Sequence, residues 1–283
     1  MILITGATGT VGKELIQQLL EAGEKFRVLA RDPSKLDSLK DRIEIAKGDL
    51  QDKNSLKTAL SGIDHIFLLT VDQGTETDTN LIQDAKEAGV RHVVKLSTNF
   101  VMNDPQTAIG RWHDAKEKLL QESGLAWTML RPGAFMSNSL QWQRSIKSQG
   151  AVFIATGDVK FALIDPYDIA AVARIALTQA GHEGKAYELS GEELLSGREQ
   201  VEILSKVIGK AIKTIPVTVA AAVEGMRSNP GMSPVMIDAR AEMLEAIRSG
   251  KLDRKPTDTV IKMTGKKPGT FLNWCQTHQR AFA

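Results

Sequence analysis

Ile4-Thr5-Gly6-Ala7-Thr8-Gly9-Thr10-Val11-Gly12 lies between a short apolar run and a helical pattern, and its reading decides the fold. Ile2 to Thr5 is expected as a buried strand. Val11 to Ala22 is expected as a helix, because Val11, Leu15, Leu19 and Leu20 recur at helical spacing and Gly23 stands ready to end it. A strand, a glycine turn and a helix in succession are what give a glycine pattern chemical meaning. Gly6 permits the tight turn out of the strand, and Gly9 lets a pyrophosphate approach the backbone without meeting a Cβ. Gly12 is expected to let the helix pack closely on the sheet. The free N–H groups of the first helical turn, at the positive end of its dipole, then favour phosphate charge. Thr5, Ala7, Thr8, Thr10 and Val11 complete the expected cradle. The spacing is GxxGxxG rather than GxGxxG. A flexible turn without a ligand is the competing reading, and the position in the first strand–helix unit favours a dinucleotide.

Outward from this turn, strands and helices alternate. Strands are expected at Phe26 to Ala30, Ile43 to Ala46, Ile66 to Thr70, His92 to Ser97 and Ala126 to Leu130. Helices are expected from Pro33, through Leu81 to Ala88, and from Trp112 to Glu122. Parallel neighbours need a crossover, and the helices supply it, so this part reads as an α/β Rossmann-type doubly wound parallel sheet. After Pro132 the rhythm changes. Short strands are expected at Val152 to Ala155, Lys160 to Ile164 and Ala186 to Leu189, with a helix from Asp165 to Gln179 between the last two. Ser196 is expected to cap a helix that Gly209 stops. Ala220 to Pro234 reads as a mobile connection or lid, and Thr270 to Phe282 as a helix. Residues 1–150 are thus expected as the dinucleotide-binding domain, with segments from about 160–190 returning to it. Residues 190–283 are expected as a smaller, mainly helical α/β substrate lobe.

The end of the second strand selects the cofactor. An acidic residue there suits the ribose hydroxyls of NAD, and a basic one suits the 2′-phosphate of NADP. Arg31 offers a planar fork for a phosphate and Lys35 lies one turn further on. Asp32 either neutralises Arg31 or caps the following helix. NADPH is preferred and NADH stays open. Asp49 and Leu50 follow the third strand, where a carboxylate or its neighbouring backbone can meet the adenine; a turn or capping role for Asp49 is the alternative.

Bulk composition narrows the class. Of 283 residues 42% are hydrophobic and 25% charged, as in ordinary globular chains. The net charge of +2 comes from mixed signs without a basic block, so no nucleic-acid partner is expected. The lone Cys275 fits a reducing compartment, the opening MILITG has no charged leader, and no apolar run is long enough to span a bilayer. A cytoplasmic protein without membrane contact is expected. His65, His92, His182 and His278 lack metal-ligand spacing, so no metal is expected, and no P-loop or nucleophile elbow is present.

Several segments together carry a family resemblance: GATGTVG (6–12), VLARDPSKL (28–36), KGDLQD (47–52), the run 111–138, LIDPYDIAAVA (163–173), GKAYELSG (184–191) and the tail FLNWCQTHQRAF (271–282). The chain resembles the NmrA-like branch of the atypical short-chain dehydrogenases. Within it, the similarity is greatest to NAD(P)H-dependent quinone, azo-dye and triphenylmethane reductases. The resemblance implies reduction of a small aromatic or quinone-like acceptor by direct hydride transfer, without flavin.

One departure bears on mechanism. The superfamily's Tyr-x-x-x-Lys pair, in which Lys lowers the Tyr pKa, is missing: neither Tyr167 nor Tyr187 is followed by Lys at that spacing. His113 and Glu117 stand one turn apart instead, and Glu117 is expected to orient the imidazole as a proton donor. Thr70 and Val71 after the fourth strand, and Ser97, Thr98 and Asn99 after the fifth, are expected at the cofactor, because ligands sit beyond the carboxyl ends of such strands. Pro132 and Phe135 are expected beside the nicotinamide, and Asn99, Phe100, His113, Phe135 and Met136 around the substrate. Asp165 and Asp168 read as caps at a helix start. A second function fits the missing pair: a non-catalytic NADP(H)-sensing regulator acting through a protein partner, with Met226 to Met236 as its surface. Either a monomer or a homodimer is compatible with the chain.

Overall fold

The computed structural model describes residues 1–228, 231–250 and 255–282. β1 (Ile2–Ile4) runs through the glycine turn into α1 (Thr10–Glu21), and β2 (Phe26–Ala30) follows. Asp32 caps a 3-10 helix over Pro33–Leu39 before β3 (Glu44–Lys47). Next come α2 (Lys53–Leu60), β4 (His65–Leu68), α3 (Glu76–Glu87) and β5 (His92–Leu96). α2 lies outside the expected elements because it buries only Leu56, Ala59 and Leu60, too short an apolar stripe to register as a period. A single turn, α4 (Phe100–Asn103), then leads to α5 (Ala108–Gln121) and β6 (Ala126–Pro132).

The rest of the chain alternates between two sites of packing. α6 (Gln143–Gln149), β7 (Ala151–Ile154) and β8 (Lys160–Ala162) precede α7 (Pro166–Thr178) and β9 (Lys185–Leu189). β10 (Leu194–Ser196) enters α8 (Gly197–Ile208) through a full capping box at Ser196 and Glu199, and Gly209 ends that helix at φ +67°. β11 (Lys213–Pro216), α9 (Val219–Arg227), α10 (Pro234–Arg248), α11 (Thr259–Thr264) and α12 (Phe271–His278) complete the fold.

The main sheet has seven strands in the order β3-β2-β1-β4-β5-β6-β9, and every pairing is parallel. Alternate strand residues face opposite layers. Ile2, Ile4, Val28, Phe67, Val94 and Leu130 join α1 and α7, whereas Leu3, Leu29, Ile66, Val93 and Met129 join the α2, α3 and α5 side. Val11, Leu15 and Leu19 of α1 are almost fully buried in the first of these cores, each contributing about 1.5–3 kcal/mol of apolar burial.

Beyond the carboxyl end of this sheet, β7 pairs with β11 in parallel and β8 pairs with β10 antiparallel. α7 and β9 pack on the main sheet, whereas β8 pairs with β10; just past β8, Ile164 bridges Phe135 beyond the end of β6. α8 and α12 share a core with Met136, Val152 and Trp274, while α9 and α10 form a smaller one around Val223, Ile237 and Leu244. Most of Ala220 to Pro234 is therefore helix and helix start rather than a loose connection; Asn229 and Pro230 lie outside the described residues. No helix among the described residues is long and apolar enough to cross a membrane.

Candidate active site

The glycine turn closes on itself. Gly6 adopts φ +66°, and the Gly9 N–H donates to the Gly6 carbonyl at 3.0 Å. A Cβ on Gly12 would stand 2.2 Å from that same carbonyl oxygen, so Gly12 is demanded by the turn it folds against rather than by the sheet. This corrects the expectation from spacing alone. Thr5 is a tether: its hydroxyl donates to Phe67 O at 3.0 Å and accepts from the Leu69 N–H at 2.8 Å, fastening β1 to the end of β4. Ala7 and Val11 are core side chains, so only their backbone can face a ligand, whereas Thr8 and Thr10 are open to solvent at the turn. Gly9 caps α1 without any side-chain bond, which leaves the first-turn N–H groups available. A Cβ-free cradle beside an uncapped helix start fits a dinucleotide pyrophosphate. It sits where β1 lies between β2 and β4, the point at which the strand order reverses.

At the β2 end, Asp32 spends its carboxylate on Ser34, accepting from its N–H at 3.2 Å and its hydroxyl at 2.6 Å. Those bonds hold the Asp32 carboxyl below the usual carboxylate range. Asp32 thus caps a helix, and neither Arg31 nor Lys35 forms an ion pair among the described residues; both are exposed. Asp49 accepts from the Gln51 N–H at 3.1 Å, a turn role, and its own N–H donates to Ser55 Oγ; Leu50 beside it is partly exposed.

The ends of β4, β5 and β6 carry a buried ionic network that sequence reading missed. Lys95 Nζ meets Asp78 at 2.5 Å, and Lys116 Nζ meets Asp72 at 2.7 Å and Asp78 at 3.5 Å. Both ammonium groups donate to Thr70 Oγ1, at 3.3 and 3.2 Å. Burial holds Lys95 below the ordinary lysine range, against the pull of Asp78. Thr70 is therefore the hub of this network, and Val71 beside it projects 86% exposed. A signal was present: Lys95 falls within a mostly apolar strand, and Lys116 lies on the same helix as His113, one residue before Glu117.

Glu117 does not orient His113. Its carboxylate accepts from the Ser97 hydroxyl and from Arg131, whose Nε lies 3.1 Å away. The His113 Nδ1 is buried with no hydrogen-bond partner among the described residues, and desolvation, aided by Lys95 and Lys116, lowers its pKa to about 4. One helical turn brings the two backbones together, but Arg131 on β6 outcompetes a neutral imidazole for the carboxylate. Asp165 caps α7 at Tyr167, as expected, while Asp168 accepts from the Gly269 N–H at 2.8 Å and so is a tether rather than a cap.

Between the sheet end and the α9–α10 layer opens a cleft of roughly 1010 Å³. Thr98, Asn99, Phe100 and Phe135 line it. His113 does not, and Met136 is buried in the α8–α12 core instead. Pro132 is buried at the strand end, its carbonyl accepting from the Asn99 N–H at 3.1 Å, which holds the loops after β5 and β6 together. The opposite wall includes Met226, Met232, Met243 and Leu244, which spacing had not marked as pocket. Among the described residues no group of three His, Cys, Asp or Glu is placed to hold a metal ion.

Comparison with known proteins agrees with this geometry. A family model described as NAD(P)H-binding matches residues 6–180. The chain is 39% identical to a (4-alkanoyl-5-oxo-2,5-dihydrofuran-3-yl)methyl phosphate reductase of Streptomyces griseus, covering 100% of this chain and 99% of the relative. It is 38% identical to an NAD(P)H azoreductase of Xenophilus azovorans, with 100% and 99% covered. Among solved structures, an Escherichia coli NADPH-dependent quinone oxidoreductase complexed with NADPH superposes with a TM-score of 0.86 at 28% identity, covering 99% of this chain and 100% of that one.

Proposed function

The chain belongs to the NAD(P)H-binding family, as an NmrA-like oxidoreductase, and we propose that it reduces quinone-like or azo-like acceptors in the cleft at the expense of NADPH. The observation that carries this reading is the cleft itself, which starts at the ends of β5 and β6, on the same carboxyl side of the parallel sheet as the glycine turn. When bound, the nicotinamide supplies a hydride. The protein's residues contribute position and environment. The first turn of α1 holds the pyrophosphate, and Arg31 and Lys35 attract the 2′-phosphate. Phe135, Phe100 and Trp142 give the acceptor apolar walls, and Thr98 and Asn99 offer neutral polar groups to an acceptor oxygen or nitrogen. An electrophilic acceptor needs little more than orientation. The proton comes from water entering the cleft, since the His113 imidazole is neutral near pH 7 and outside the lining.

A flavin-free reaction, a cytoplasmic location, and a monomer or homodimer complete the proposal. The regulator reading draws no support from the Met226 to Met236 stretch, because Met226 and Met232 line the cleft instead of forming a separate docking face. The test is direct. Flavin-free protein is mixed with NADPH and a panel of quinones and azo dyes, and loss of the reduced nicotinamide signal is followed. Protein-dependent oxidation supports the reductase. A flat trace across the panel removes it.

A further inference from the structure

The cleft's described lining contains one charged side chain, Arg240. It lies on α10, where Arg240, Met243, Leu244 and Ile247 recur at helical spacing along the wall that faces the sheet ends. Arg240 is partly buried, and no ion pair or hydrogen bond satisfies it among the described residues. Its charged neighbours on the helix are occupied or turned away. Glu242 accepts from the Ala108 N–H at 2.7 Å, Arg248 donates to the Ala155 carbonyl at 3.0 Å, and Asp238 and Glu245 are exposed outside the lining. Those two bonds also dock α10, so the position of Arg240 is held by the fold.

An unpaired cation on an apolar wall gains most from an oxyanion, which can take two parallel N–H bonds from the planar fork. The cofactor's phosphates have their own partners in the α1 cradle and at Arg31 and Lys35, none of which lines this cleft. We infer that Arg240 selects acceptors that carry a carboxylate, sulfonate or phosphate, the oxyanion meeting Arg240 while the reducible ring lies toward Asn99 and Phe135. The substrate class is thus an amphipathic organic anion. This rests on the reductase reading of the cleft and narrows it.

The test uses the full chain with a naphthoquinone and its carboxylated and sulfonated analogues, comparing acceptors within each variant. Wild type is expected to show kcat/KM at least about ten-fold higher for the charged analogues, carried by KM and shrinking at high salt. Arg240→Gln is expected to collapse that ratio toward one, and Arg240→Lys to restore part of it. Equal use of neutral and charged acceptors by wild type overturns the inference and leaves the reductase reading intact. A loss in Arg240→Gln confined to NADPH affinity also overturns it, since the anion read would then be the cofactor's. If no acceptor is reduced, the reductase reading falls. Quenching of Trp142, which lines the cleft, then decides the anion site: tighter binding of the charged analogues that vanishes in Arg240→Gln upholds it, and equal binding ends it.

Discussion

Lys95 and Asp78 meet at 2.5 Å with both side chains sealed from solvent, at 1% and 0% exposure. β5 supplies the cation and α3 the anion, and Lys116 of α5 shares the same carboxylate. Removing one member of a buried pair leaves a charge that water cannot reach. Asp78→Asn is therefore expected to destabilise the fold by about 3–5 kcal/mol, measured as a lower urea midpoint at unchanged slope. Replacing Lys95 and Asp78 together with Leu is expected to recover much of that loss. An unfolding free energy within about 0.5 kcal/mol of wild type for Asp78→Asn would show that the pair is solvated in solution.

Gly12 and Gly9 face the same carbonyl at different ranges. A Cβ on Gly12 would sit 2.2 Å from Gly6 O, and one on Gly9 would sit 3.2 Å from it. Gly12→Ala must open the turn, so NADPH affinity is expected to fall by at least about ten-fold. Gly9→Ala asks only a small shift of Gly6 O and is expected to cost less turn geometry than Gly12→Ala, acting mainly through its Cβ at the phosphate. Fluorescence titration of NADPH measures affinity, and circular dichroism checks that the helix persists. Unchanged affinity in Gly12→Ala would place the pyrophosphate elsewhere.

Arg31 is exposed and has no acidic partner among the described residues, Asp32 being bound to Ser34. Arg31→Gln is expected to cut the preference for NADPH over NADH by about ten-fold, almost entirely through the KM for NADPH. Lys35→Gln should act in the same direction, more weakly. Ratios of kcat/KM for the two cofactors decide this. An equal loss for both would mean that Arg31 reads no 2′-phosphate.

Acidification should weaken the fold through its buried histidines. Burial lowers His92 to about 4 and His113 to about 4, from 6.5. Between those values the unfolded chain takes up protons that the folded chain refuses, so their penalty is absent above about pH 6.5 and grows as pH falls toward 4. Asp168, raised by burial to about 6, works in the opposite sense, its stabilising contribution being lost as pH rises through that value. His113→Gln isolates one histidine: it should lose less stability than wild type between about pH 7 and about pH 5 in urea titrations. In turnover assays the same variant should keep the shape of the wild-type pH profile. Loss of a limb from that profile would restore His113 as a proton donor.

Much of the sheet was legible because its signals are local. Phe26 to Ala30 is a strand over the bounds expected from its apolar run, and the Ser196 cap and Gly209 stop frame α8 as spacing implied. Among the elements that escaped, β10 and β11 are short strands whose pairing is set by distant partners, Leu194 with Ala162 and Lys213 with Ala151, and α2, α6 and α11 are helices of eight residues or fewer. α9 and α10 escaped because they form their small core chiefly with each other. Within the site, strand-end logic found Thr98, Asn99 and Phe135 on the cleft. It also pointed to His113, which helical periodicity could place on a face but could not place in a cavity.

By itself the sequence determined the strand–turn–helix opening and the parallel α/β order. Each depends on local signals: a glycine without a Cβ, and a helical crossover between successive strands. Only the tertiary structure decided that Glu117 belongs to Arg131 rather than His113, that Asp78 neutralises Lys95, and that Arg240 faces the cleft without a partner among the described residues. In those cases an ionised side chain is satisfied, or left unsatisfied, by groups that folding brings from other elements. Desolvation makes the choice of partner costly to change, and one-dimensional spacing carries no record of it.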